Sequence, residues 1–176
     1  MTFAGLGLRL HDITYGTDLH QAFDRWWEYA RVNYIPLEDG RMTGPMSMYY
    51  DPIIDCHHKT TTQGPAKLFI VPGLLPQYPD ESRIMFDSAM EDLDWTNPEA
   101  LDAATGQPGL VETGIFFARE HGYGALQARL TAHAETHYEP TWDEASGEFT
   151  WGFGLNEPHP RGQFNGTAAM AEATSK

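Results

Sequence analysis

The pattern that most constrains this chain is a helix, a glycine turn, a second helix and an irregular loop, occurring three times. The turns fall at Gly16, Gly73 and Gly122, at intervals of 57 and 49 residues. In the first pair Phe3, Leu6, Leu10 and Ile13 lie three or four residues apart, the spacing of one helix face. Gly16 ends that helix, and Thr17 or Asp18 is placed to cap the next by accepting a backbone N–H bond. The second helix turns Leu19, Ala22, Phe23, Trp26 and Ala30 inward, with Trp27 and Tyr34 widening its apolar side, until Pro36 stops it. In the second pair Lys67, Leu68, Phe69, Ile70 and Val71 predict a helix broken near Pro72-Gly73. Asp80 then caps a helix burying Ile84, Phe86, Ala89, Met90 and Leu93. The third pair runs through Leu110, Val111, Ile115, Phe117 and Ala118, stops at Gly122, and returns along Ala125, Leu126, Leu130, Ala134 and His137.

The literal echo between pairs is thin (ITYGTDLHQAF against REHGYGALQAR), so what repeats is the pattern. Helical pairs of this kind stack so that neighbours cover each other's apolar faces. Each pair ends in a long loop on the same side, which predicts that the loops gather at one end and form a site there. The longest connection, Glu139 to Gly162, precedes a small Ala-rich helix expected over Gln163 to Thr174. Its alternation Phe149, Trp151, Phe153 predicts one face of a short strand. The polar tip beyond it, Asn156 to Arg161, is expected to face a cavity.

A stack of helical pairs needs apolar mass, and 41% hydrophobic and 12% aromatic residues in 176 supply it. That length suits a single domain over 1–176. The net charge of −14 disfavours nucleic acid and anionic membrane surfaces, which need clustered Lys and Arg. A lone cysteine, Cys56, excludes an internal disulfide framework and a multi-cysteine zinc site, and fits a reducing, cytoplasmic compartment. There is no run of about 18 apolar residues to span a membrane. No signal peptide is expected either, because the first helix carries Arg9, His11 and Asp12 without a charged leader. Met1 to Ala4 begins inside the helical pattern, with no capping residue before it.

Two clusters carry chemistry. The first is Asp51, Asp55, Cys56, His57 and His58, with Met46 to Tyr50 ahead of it as a short strand. Asp and His a few residues apart suit an acid/base pair or half a metal site. Adjacent histidines on extended chain point to opposite sides, so one metal bound by both His57 and His58 is not expected, and no spaced ligand motif is present. The same residues also suit a polar loop held by local hydrogen bonds. Cys56 as a nucleophile needs a cationic neighbour, which His57 can supply, or it is simply packed. The second cluster is Glu139, Glu157, His159 and Arg161, beside Trp142, Trp151 and Phe153. Paired carboxylates between aromatics fit glycoside hydrolysis, with Asp55 and Glu157 as acid and base. Arg161 can equally hold the loop through carbonyls, and the aromatics can equally be core. His133 and His137, at i and i+4, read as helix-face residues.

Two stretches, GTDLHQAFDRWWEYARVNYI and GLVETGIFFAREHGYGALQARLTAHAETHYEPTWDEASGEFTWGFGL, together resemble the C-terminal half of the linalool dehydratase/isomerase-like family. The most recognisable parts are the HDITYGT turn, the FFAREHGYGAL turn and the YEPTW loop entry. The resemblance implies a mainly α fold: three helical hairpins of an (α/α)6 toroid or barrel, with short β-hairpin rim loops, the chain forming the C-terminal half of a larger barrel. It implies hydration, dehydration or isomerisation of a small apolar, terpene-like alcohol by acid/base side chains, without cofactor or metal. The family's catalytic cysteines, histidine and aspartate lie upstream of the matched stretch. Its pocket tyrosine falls near Thr62-Gln63. This chain is therefore expected to supply pocket lining, and to need the other half of the barrel or a homo-oligomer. The pocket-facing candidates are Asp55, His57, Glu157 and His159 as acid/base groups. Tyr50, Trp142, Trp151, Phe153 and Arg161 are the substrate-binding candidates. Two further readings stand beside this one: a carbohydrate-processing (α/α) barrel, and a non-catalytic half-barrel that binds a partner through an open edge.

Overall fold

The computed structural model describes residues 1–60, 62–97, 99, 108–150 and 169. The chain is mainly helical and divides into two compact units, Met1–Leu93 and Asp94–Lys176. Six helices among the described residues fall into three consecutive pairs, and three two-stranded antiparallel hairpins follow or separate them. A closed (α/α)6 barrel goes beyond these pairs.

The first unit opens with α1 (Thr2–Tyr15) and α2 (Gln21–Asn33). Gly16 ends α1 in the left-handed conformation (φ 67°), and its amide returns to Asp12 O at 2.8 Å. The expected cap by Thr17 or Asp18 is replaced by one reaching back from α1. The Asp12 carboxylate accepts the Leu19 and His20 amides at 2.9 and 2.7 Å and the Thr17 hydroxyl at 2.6 Å. A turn this tight lays the free N–H groups opening α2 over the last turn of α1, within reach of a carboxylate already there. On α2, Phe23, Trp27 and Ala30 are buried, while Leu19 and Ala22 are exposed and Trp26 is half-buried.

The larger correction concerns α1. Phe3, Leu10 and Ile13, expected in the core, are 59%, 56% and 75% exposed, and Thr2 and Gly5 are buried instead. The reason is steric. A β-carbon on Gly5 would clash with the Phe23 ring, 2.5 Å from Cδ2, and one on Gly73 would lie 2.6 Å from Thr2 Cβ. Helix α1 therefore seats its smallest face against α2 and α3 and turns its apolar stripe outward.

That contact also explains Gly73, which is not a turn. Helix α3 (Gln63–Leu74) runs through Pro72 and Gly73 without a break. Proline removes one N–H but leaves the following amides free, and Leu75 N still bonds Val71 O at 3.0 Å. The reversal comes at residues 75–78, where Pro79 takes the first turn of α4 (Pro79–Asp92) and Asp80 lies inside the helix, not at its cap. Leu68, Val71 and Leu74 from α3, with Met85, Phe86 and Ala89 from α4, are buried; Phe69 faces out. Lys67 is buried too, its ammonium donating to Asp92 Oδ2 at 2.5 Å and Ser88 Oγ at 2.8 Å.

Between α2 and α3 lie two hairpins: β1 (Leu37–Glu38) with β2 (Arg41–Met42), and β3 (Ser47–Asp51) with β4 (Cys56–Lys59). The first turns over Asp39-Gly40, both at positive φ (48° and 73°), the combination a tight hairpin requires.

The second unit holds α5 (Pro108–Glu120) and α6 (Gly124–His137), joined at Gly122 (φ 80°). Leu110, Val111, Ile115, Phe117 and Ala118 are buried, as their spacing predicts. On α6, Leu130 and Ala134 are buried with His133, whereas Ala125 and His137 are exposed and Leu126 is half-buried. A third hairpin pairs β5 (Thr141–Asp143) with β6 (Glu148–Thr150), Trp142 opposite Phe149. The strand expected over 149–153 is described only to Thr150. The helix expected over 163–174 lies outside the described residues except at Ala169, which is helical.

Candidate functional site

Of the residues singled out from the sequence, three meet on the β3–β4 hairpin. Its register sets Tyr50 opposite His57, Asp51 opposite Cys56 and Tyr49 opposite His58. The two histidines face opposite sides of the ribbon. His57 lies 4.9 Å from the Tyr50 ring and 5.0 Å, edge-on, from Tyr34, while His58 stacks on Tyr49 at 4.4 Å. Asp55 closes the hairpin at φ 50°, a left-handed conformation that Asp tolerates better than bulky residues. Asp51 steadies the turn by accepting the Ile53 amide at 2.8 Å.

The Tyr50 hydroxyl donates to Asp55 Oδ1 at 2.8 Å. That bond, joined by desolvation and the nearby carboxylate charge, raises the Tyr50 phenol above its ordinary value. Among the described residues, His57 Nδ1 and His58 Nε2 are buried atoms without a hydrogen-bond partner. The hairpin thus holds an exposed carboxylate beside a half-buried phenol and a half-buried imidazole. Such a set can orient a hydroxyl and exchange a proton with it. Its tip is apolar, with Ile53 91% exposed and Ile54 also exposed.

The remaining candidates fall in the second unit. Trp142 lies on β5 and is 64% exposed. Glu157, His159, Trp151, Phe153 and Arg161 lie outside the described residues. Two open grooves flank the β1–β2 hairpin, of about 330 and 480 Å³, and carboxylates from Glu38, Asp39, Asp80, Asp87 and Glu91 line them. Neither includes Tyr50, Asp55 or His57.

Two further features, a polar junction in the first unit and a buried acid in the second, are not among the residues that spacing singles out. In the junction, Gln77 donates its amide to Thr2 O at 3.0 Å and to Gly73 O, leaving its oxygen 2.7 Å from His20 Nε2. Both amide protons are then spoken for, so the ring nitrogen is the donor. His20 Nδ1 lies 3.2 Å from Asp24, which also accepts the Tyr78 hydroxyl. Tyr78 is raised strongly by burial first and then by that bond. No periodicity flags such a network, because the bonds that join its two halves span 54 to 75 residues. The buried acid is Glu112, fully enclosed on α5, with neither oxygen well hydrogen-bonded among the described residues. Its signal was available: a lone carboxylate inside the apolar run GLVETGIFFA.

No family model matches the chain, and neither a curated protein nor a solved structure matches it.

Proposed function

We propose that this chain is a module of helical pairs that operates inside an (α/α) barrel of the linalool dehydratase/isomerase type, completed by further helical pairs docked along α1. The completed barrel hydrates, dehydrates or isomerises a small apolar alcohol without a cofactor. The observation that carries the reading is the outward apolar stripe Phe3, Leu10 and Ile13. A helix that ends a stack presents a polar outer face, whereas one inside a stack presents an apolar one. The stripe contains no carboxylate, unlike the acidic surface of the rest of the chain. A second helix of the same kind is what such a face fits.

Within this chain the Tyr50–Asp55 pair and His57 receive the alcohol. The pair presents a hydrogen-bonded oxygen array to the hydroxyl, and His57 stands beside it to hold or move the proton when the C–O bond forms or breaks. The remaining acid/base groups come from the completing helices. The stripe alone also favours a second reading, a partner-binding half-barrel with no chemistry of its own.

Two measurements test these readings. Light scattering of the purified chain should show association that Leu10→Lys with Ile13→Lys abolishes; a monomer indifferent to those changes sinks the docking claim. Turnover of linalool- and geraniol-type alcohols by the completed assembly should fall at least tenfold with Asp55→Asn or His57→Gln. Absence of turnover on any allylic alcohol leaves the non-catalytic reading.

A further inference from the structure

Glu112 sits near the middle of α5, where Leu110, Val111, Gly114, Ile115, Phe117 and Ala118 are also buried, so the helix has almost no wet face there. Among the described residues neither carboxyl oxygen has a well-formed hydrogen bond; only the amide of Glu112 itself acts on the group, and burial outweighs it. Among the described residues of this unit, α5 packs against α6 and against the Trp95 ring, with Trp95 and Leu130 both closing on Gly114. The titratable and charged groups those elements bring are few. His133, buried on α6, lies against His137 and Tyr138 at 4.4 and 6.0 Å, and Arg129 at its edge reaches toward Thr96 O. Asp94, beside Trp95, is exposed and accepts from the Asn97 amide. On α5 itself Arg119 pairs with Glu120 at 3.2 Å. None of them bonds to Glu112.

An ionised carboxylate here is shut off from bulk solvent and, among the described residues, has no counter-charge bonded to it, whereas the protonated form is far easier to bury. We propose that Glu112 is a proton-held latch on the α5–α6 pair: the pair stays closed while the carboxyl keeps its proton, and opens locally to hydrate the carboxylate when that proton passes to solvent. Desolvation pushes this carboxyl from 4.5 up to about 8. The sign follows from linkage. The closed form binds the proton more tightly than the open one, so its stability is intact below about 4.5 and is lost as pH rises to about 8.

The test is hydrogen–deuterium exchange of the whole chain from pH 5 to 9, read on peptides and corrected for intrinsic exchange. Opening of peptides spanning α5 and α6 should rise by up to about tenfold per pH unit and level off above pH ~8, while α3–α4 peptides do not follow. Glu112→Gln keeps the shape without the charge and should flatten the rise. Glu112→Leu should do the same, and serves if the amide variant fails to fold. A flat wild-type profile overturns the latch by itself, and so does a rise that survives in either variant.

Discussion

Single residues in this chain act mainly through the company their polar atoms keep. Asp12 is the simplest case. Desolvation works to raise its carboxyl, but the Thr17 hydroxyl and the His20 and Leu19 amides outweigh it and hold the group below its ordinary value. A depressed carboxylate contributes stability above its unfolded pKa and loses it as pH falls through the folded one. Asp12→Asn should therefore lower the melting temperature at pH 7, and the difference from wild type should vanish in acid; thermal scans at several pH values check this. Tyr50 shows the opposite shift for a related reason, since its phenol must give up a proton next to Asp55. In Asp55→Asn, ultraviolet titration should find Tyr50 ionising at lower pH than in the wild type. A Tyr50 that titrates unchanged would mean the pair is not formed in solution.

At the scale of elements, close approach and buried charge decide how the helices sit. The α1–α3 crossing depends on the missing side chain at Gly73, which leaves room for Thr2. Gly73→Ala should destabilise the protein by about 1–3 kcal/mol despite alanine's better helix propensity, because overpacking outweighs it. Chemical denaturation measures the difference, and a stabilised variant would show that the crossing is looser than described. Between α3 and α4 the buried Lys67 ammonium is held by Asp92 and Ser88. Removing one partner of a buried pair costs about 3–5 kcal/mol. Asp92 keeps 32% of its side chain in water, so Lys67→Ala is expected to cost about 2–3 kcal/mol on that same scale. Lys67→Met, which refills the volume, should recover part of the loss.

For the whole molecule, two quantities oppose each other: an apolar stripe that favours association and a net charge of −14 that resists it. Screening weakens repulsion over lengths of about 10 Å at 0.1 M salt and leaves apolar contact intact. Association of the chain along α1 should therefore strengthen as sodium chloride rises from about 0.01 to 0.3 M, across the range where the screening length falls below the size of the stripe. Sedimentation velocity would show it as a growing mass. Association that weakens with salt would point to an ionic contact in place of the apolar one.

Periodicity by itself determined a good deal: a mainly helical chain, paired helices, the reversals at Gly16 and Gly122, and the buried face of α5. Tyr50, Asp55 and His57 lie within eight residues of one another, so nearness in the chain keeps them near in space, but the register that sets Tyr50 opposite His57 came from the structure. These are local outcomes, set by backbone preference and side-chain spacing. What it left open was which face of a helix meets a neighbour. The stripe on α1 is a sound helix face, yet Thr2, Gly5 and Gly73 let the backbones approach on another side, and the contact went there. Pro72-Gly73 reads as a break until its surroundings show a helix crossing. The Gln77–His20–Asp24 junction and the enclosure of Glu112 likewise depend on groups far apart in the chain. Spacing along one helix carries no record of what packs against it, so only the tertiary structure decided these.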